Sequence, residues 1–493
     1  MERRDFLRSA VAGLAVGAAD AAPQNAAQQT AASGGQKKTI AIQIGTESFM
    51  DEGVEKVLDI LQQKGAVNAL FLAVYDFGNG IAGRQLPGHP IPDHGLQVYP
   101  PFRGGNYCNV HAQYYKDTVI NPNDTRAPEF PNVDVVDTVL PAAHKRGIKV
   151  YTWADDQVRM RVPNMNQLTE VDIDGRPNQR GCYNNPHYQN YLLGLTEDWM
   201  RSHPEVDGVM WCMEANGALE QAINFGALSC FCQFCQDKAR KQGINVERAK
   251  QGLLTLREYL RACRSGTRPV DGYYITYWRI LLRNPEILAW EHFWHEGLRD
   301  MYKTIHAKVK SLNASMPCGW HIEHSTTFSP LYRAEKEIKE MDGYTDILKE
   351  VMYHNCAGER MIQRVINREQ PGIYGDFTKE ELLMDFQYKV MNFRERALDQ
   401  IAYTGFSADY VAREAKRAVD GAAGTKIAIW PGIDIDIPTN VNSSSCTPGG
   451  TRDAVLAAFK AGVPGVVLSR KYSEMKLANL AGAGDAIRQL GFA

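Results

Sequence analysis

Two kinds of reactive side chain share one short stretch of this 493-residue chain, 207–235, which reads DGVMWCMEANGALEQAINFGALSCFCQFC. The apolar run 209–213 has the make-up of a buried parallel strand, and Glu214 stands where that run stops. A carboxyl group at the end of such a strand can give or take a proton at a bound ligand. Sixteen residues further on, Cys230, Cys232 and Cys235 form a C-x-C-x-x-C cluster, three thiolates for an ion that prefers four. Cys182, in the loop before the preceding helix, is the natural fourth ligand because neighbouring strands bring their loops together. Four thiolates leave no open position, so the expected Zn²⁺ is structural and pins two loops. The bland alternative is buried thiols or a disulfide.

The elements that would hold these groups follow from the alternation of short apolar runs with longer amphipathic stretches, the pattern of βα units. Strands are expected at 39–44, 69–75, 149–153, 209–213, 318–322, 347–353, 427–430 and 465–468. Helices are expected at about 51–64, 133–145, 186–202, 285–312, 333–340, 380–403, 452–461 and 475–490. Eight such units predict an α/β fold, a (β/α)8 TIM barrel over 39–493, with long top-face loops and a helical insertion after strand 4 at about 236–284.

That register collects polar groups at one rim. Glu323 and Asp434 are the leading partners for Glu214, with Asp155 behind them. Asp155, Asp156, Asn216 and His321 are expected to contact substrate, as are Tyr353, His354, Arg470 and Lys471. Trp153 and Trp430, at strand ends, are expected to stack on it, whereas Trp211 reads as core. Lys349-Glu350, inside strand six, reads as a solvated or paired feature. Carboxylates, imidazoles and flat aromatic faces suit sugar chemistry, in which one carboxyl protonates the leaving oxygen and another acts as nucleophile or base.

Composition bounds the rest. Hydrophobic residues make up 44% and charged residues 23%, ordinary for a globular chain, and a net charge of -2 gives no pull toward nucleic acid. Arg3-Arg4-x-Phe6-Leu7 followed by a short apolar segment predicts a twin-arginine signal peptide over 1–22, and 23–38 reads as a disordered leader. A periplasmic or secreted protein, handed to the twin-arginine export machinery already folded, is the expectation, with no permanent membrane span. The oligomeric state, homo-oligomer or monomer, stays open.

Glu214 with the downstream cysteines, and Gly181-Cys182-Tyr183-Asn184-Asn185-Pro186-x-Tyr188 upstream, resembles the corresponding region of glycoside hydrolase family 42 β-galactosidases and of exported barrel glycosyl hydrolases related to them. The resemblance implies Glu214 as the acid/base, Cys182, Cys230, Cys232 and Cys235 as zinc ligands, and a carbohydrate substrate. It is specific over 176–243 and architectural elsewhere. Met213 stands where that family has Asn, and strand seven, Ile429 to Asp434, lacks the family's nucleophilic Glu. Galactoside specificity and retention are therefore not implied. Two other classes fit the same residues. One is a metal-dependent sugar isomerase, epimerase or lyase using Glu214, His321 and Glu323, and the other is a non-catalytic carbohydrate-binding protein.

Overall fold

The structure, a computed structural model, describes residues 38–77, 93–95, 102–155, 161–224, 226–437, 439 and 444–493. The span 1–22 expected as a signal peptide, residues 23–37 of the expected leader and Asp156 lie outside the described residues.

Eight parallel strand positions close on themselves. They are β1 (Thr39–Ile44), β2 (Ala69–Phe77), β3 (Lys149–Asp155), β4 (Gly208–Cys212), β5 (Cys318–Ile322), β6 (Ile347–Met352), β7 and β8 (Gly465–Ser469). β7 comes in two pieces, Ala428–Ile429 and Gly432–Asp434. Each strand pairs with the next in chain order, and β1 pairs with both β2 (Ala41 opposite Ala69) and β8 (Thr39 opposite Gly465), which closes the barrel. The gap in β7 falls at Trp430 and Pro431, and proline has no N–H for the ladder. Both pieces keep one register against β6, with Ile429 opposite Leu348 and Gly432 opposite Val351.

The barrel interior is filled by aromatic rings. Phe71 stacks on Trp153 and Trp430 at 5.4 and 6.0 Å between centroids, and Tyr151 meets Trp430 edge-on at 5.5 Å. Such bulk on some strands requires its absence on others. A Cβ at Gly208 would stand 2.4 Å from the Tyr151 ring, and one at Gly432 would press on Lys349 Cε and Tyr353 at 3.0 Å. These glycines, from β4 and β7, make the room that the large side chains of β3 and β6 occupy.

Outside the ring, the helix Pro186–Ser202 starts as its sequence demands, with the Asn185 side chain accepting from His187 N at 3.0 Å and Pro186 at the first turn. The insertion after β4 is built of Gln233–Lys241, Val246–Arg264 and Tyr273–Arg283, and the 27-residue helix Glu286–Leu312 follows. Helices additional to those expected include His354–Met361 and Ala408–Gly421. The span expected as one helix at 380–403 is divided, with Leu398–Thr404 a separate helix. Among the described residues no helix is long and apolar enough to cross a membrane.

Candidate active site

β4 and β5 bring the central pair together. Side chains alternate along a strand, so Cys212 and Glu214 share a face, as do His321 and Glu323. His321 Nε2 stands 2.5 Å from Glu214 Oε1. The imidazole is buried, whereas the Glu214 side chain is 47% exposed at the mouth of the barrel. Burial alone would raise the Glu214 carboxyl, but His321 first, then Arg360 and Lys349, outweigh it and hold it down at about 2. Burial and the neighbouring Lys349 ammonium push His321 down to about 4. At neutral pH the pair is therefore a carboxylate facing a neutral imidazole.

Beneath them lies Lys349, whose ammonium is fully buried. Its Nζ lies 2.7 Å from Gln43 Oε1, 2.8 Å from Tyr353 Oη and 3.0 Å from His321 Nδ1. The expectation of a solvated or paired Lys349-Glu350 is corrected for the lysine. Adjacent residues of a strand face opposite ways, so Lys349 enters the barrel while Glu350 points outward to pair with Arg417. The inward position of Tyr353, four residues on, is the sequence signal for Lys349.

Glu323 is half-buried just past β5. Burial pushes the Lys336 ammonium down, and Glu323 followed by Glu214 pulls it back, so both strand-end glutamates act on one cation. Asp434, at the end of β7, is differently placed. It is fully buried, its Oδ2 accepts from Cys356 N at 2.9 Å and its Oδ1 from Ile437 N at 3.0 Å, and Cys446 Sγ lies 3.5 Å away. It serves as the cap of the helix His354–Met361, whose own N-terminal residue Tyr353 offers no side-chain cap. Burial raises its carboxyl to about 6.

The stacking expected of Trp153 and Trp430 is corrected. Both rings are buried in the barrel interior and have no face open to a ligand. β3 continues to Asp155 and β7 to Asp434, so each tryptophan sits below the mouth. Asp155 ends β3 and is buried. Asn216 contributes its carbonyl, which accepts from Arg180 Nη1 at 3.1 Å and Gln221 Nε2 at 2.6 Å. Tyr353 reaches Lys349, and His354 is buried at the start of its helix and pushed down to about 4 by that burial. Arg470 and Lys471 converge on buried Glu474, at 2.6 and 3.6 Å.

The four cysteines named from sequence converge. Cys182 Sγ lies 3.5 Å from both Cys232 Sγ and Cys235 Sγ, and the ligand atoms of all four, with Cys230, fall within 4.8 Å of one another. A disulfide would bring two sulfurs to about 2.05 Å, and all ten cysteines are free thiols. Zinc–sulfur bonds of about 2.3 Å in a tetrahedron place sulfurs roughly 3.8 Å apart, so the donor set fits such an ion. Hydrogen bonds from Cys182, then Cys230 and Cys235, hold Cys232 as a thiolate. Next to the cluster, Ser229 Oγ donates to buried Glu170 at 2.7 Å, and Glu170 also accepts from Arg180 at 2.8 Å and Trp294 Nε1 at 2.7 Å. Arg180 in turn holds the Asn216 carbonyl, which links the cysteine loop to the segment carrying Glu214.

No family model matches the chain, and no curated protein does. Solved structures similar to it include a β-galactosidase from the psychrophilic Marinomonas ef1, at 11% identity over 92% of this chain and 60% of that one, with a TM-score of 0.51. An α-L-fucosidase isoenzyme 2 from Paenibacillus thiaminolyticus is 10% identical over 92% and 49%, with a TM-score of 0.47. The PgaB glycoside hydrolase domain from Bordetella bronchiseptica is 11% identical over 92% and 97%, also at 0.47. The chain thus spans about half of the fucosidase chain and 60% of the galactosidase chain. At these identities the likeness is one of fold, a closed barrel of eight parallel strands with helices around it.

Proposed function

We propose that this protein is a glycoside hydrolase in which Glu214 acts at the scissile bond of an oligosaccharide or glycoside. The observation that carries the reading is the half-exposed Glu214 carboxylate at the barrel mouth, 2.5 Å from His321, with Glu323 just past the end of the next strand. Glu214 serves as acid/base and Glu323 as nucleophile or base. Asp434 is the weaker partner because both its oxygens already accept backbone N–H groups. Cys182, Cys230, Cys232 and Cys235 would hold a structural Zn²⁺ that braces the loops after β3 and β4. The amino-terminal twin-arginine pattern supports export to the periplasm or beyond.

A metal-dependent sugar isomerase, epimerase or lyase is the second reading, favoured by the ligand atoms of Cys212, Glu214 and His321 lying within 4.8 Å of one another. Against it, a metal-bound imidazole usually donates its other ring N–H to an acceptor. His321 instead offers Nδ1 to the Lys349 ammonium.

The test is a panel of aryl glycosides and natural oligosaccharides offered to the purified protein with and without a divalent-ion chelator, with zinc quantified. Chelator-resistant turnover with about one zinc per chain, as a four-thiolate site requires, supports the hydrolase. Turnover restored only by added divalent ion moves the assignment to the second reading, and saccharide binding without turnover moves it to a binding protein.

A further inference from the structure

A lysine ammonium has three N–H donors and accepts nothing. At Lys349 the three partners are Gln43 Oε1, Tyr353 Oη and His321 Nδ1. Ser469 Oγ also donates to Gln43 Oε1, at 2.7 Å, which fixes the amide with its oxygen toward both donors. The third bond decides the tautomer of His321. Nδ1 must present its lone pair, so the ring proton is on Nε2, the atom 2.5 Å from Glu214 Oε1. Lys349 and Glu214 thus stand at the two nitrogens of one ring, Lys349 on the interior side and Glu214 at the mouth, and a small turn of the carboxylate brings its oxygen into line with Nε2–H.

We infer that Lys349 and His321 form a buried proton relay to Glu214, with Lys349 the positioning residue that sets its direction and stores its proton. This rests on the glycosidase reading. Glu214, a carboxylate at rest, takes a proton from His321 Nε2 while His321 Nδ1 takes one from Lys349, which becomes a neutral amine. As the glycosidic C–O bond breaks, its electron pair goes to the leaving oxygen, which takes that proton from Glu214 and leaves it a carboxylate again. When water completes hydrolysis its proton returns along the same atoms, through Glu214 and His321, to Lys349. Atoms and charge close over the cycle with water as the only co-reactant.

The surroundings suit a group that must let a proton go. The lysine is sealed from solvent, and burial lowers it to about 7, with Cys212 of β4 and Glu214 just past it favouring the cation and Arg470, just past β8, opposing it. Tyr353 on the same strand turns its hydroxyl to the amine, and Arg360 acts on His321 and Tyr353. A relay also resolves the low value of Glu214, which is a carboxylate at rest and so needs a proton delivered from behind during reaction.

The experiment compares wild type and Lys349→Met on glycosides of the sugar identified by the panel, carrying either a 2,4-dinitrophenyl or a methyl aglycone. The first leaves without a proton and the second requires one. Lys349→Met is expected to lose about 10²–10⁴-fold in kcat/KM on the methyl glycoside and less than roughly tenfold on the dinitrophenyl glycoside. In wild type the rate on the methyl glycoside should fall as pH rises through about 7, where the lysine loses its proton, and the variant should lack that limb. Equal losses on both aglycones, or an unchanged limb, would overturn the relay. A second readout needs neither the Lys349 variant nor a substrate. The ¹⁵N shifts of His321, assigned with His321→Gln, should report the Nε2–H tautomer in wild type, and an Nδ1–H tautomer would overturn the inference. If wild type cleaves no glycoside, the glycosidase reading fails by itself, and the tautomer alone decides whether Lys349 is placed as argued.

Discussion

The ends of β4 and β7 each carry a carboxylate, and the chain treats the two in opposite ways. Glu214 is open to solvent on one side and touches a side chain on the other, so its oxygens can change partners during a reaction. Asp434 is closed in, and each oxygen is committed to a backbone N–H of a neighbouring segment. One is pulled down by His321 against its burial, the other pushed up by burial. Position at a strand end therefore does not by itself make a carboxylate reactive. What decides is whether its oxygens are bound into the fold or open to solvent.

Three results would sharpen or break this contrast. The largest effect is expected at Glu323, the partner placed on the β4 and β5 side of the mouth. Glu323→Gln should lower kcat/KM by about 10²–10⁴-fold while leaving the thermal midpoint near that of wild type, and an unchanged rate would remove Glu323 from the reaction.

Next is the brace behind β4. Glu170→Ala leaves the Arg180 guanidinium without its carboxylate and should cost about 3–5 kcal/mol. Because Arg180 also holds the Asn216 carbonyl, rate and stability should fall together. Cys235→Ser should act in the same sense and abolish stoichiometric zinc. A stable, fully active Cys235→Ser protein would show that the thiols do not support this side of the barrel.

The smallest effect is in the pH dependence of stability, and its sign differs between the two ends. Asp434 titrates higher in the fold, at about 6 against 3.8, so its contribution is present below 3.8 and is lost as pH rises through 6, on the order of 3 kcal/mol. Glu214 titrates lower, at about 2 against 4.5, so its contribution is present above 4.5 and is lost as pH falls through 2. In urea unfolding series, Asp434→Asn should flatten the slope between pH 4 and 6, and Glu214→Gln should flatten it below pH 4.5. Slopes of the same sign for both would contradict the contrast.

Much of this was legible in the chain. Eight apolar runs are visible because strands buried on both faces leave little room for polar residues. The four cysteines were readable because three thiols within six residues exceed what core packing asks for. What escaped depends on register and on partners distant in sequence. An error of two to four residues at the ends of β3 and β7 moves Trp153 and Trp430 from the mouth into the interior. The helix Ala408–Gly421 hides its pattern because alanines carry much of its buried face and because Glu414 lies in that face, paired with Arg333 and Arg417. Lys349 reads as a surface residue until β6 is given a face. Asp434 looks catalytic until Cys356, 78 positions earlier, is seen to donate to it.

The most direct test of the central claim is to assay Glu214→Gln and Asp434→Asn side by side with wild type on the most rapidly cleaved glycoside of the panel, after confirming by circular dichroism that both fold. The account predicts that Glu214→Gln loses turnover while Asp434→Asn stays within roughly tenfold of wild type, well short of the effect of losing a general acid. Loss of turnover in Asp434→Asn with Glu214→Gln unimpaired would contradict it and place the reacting carboxylate at β7.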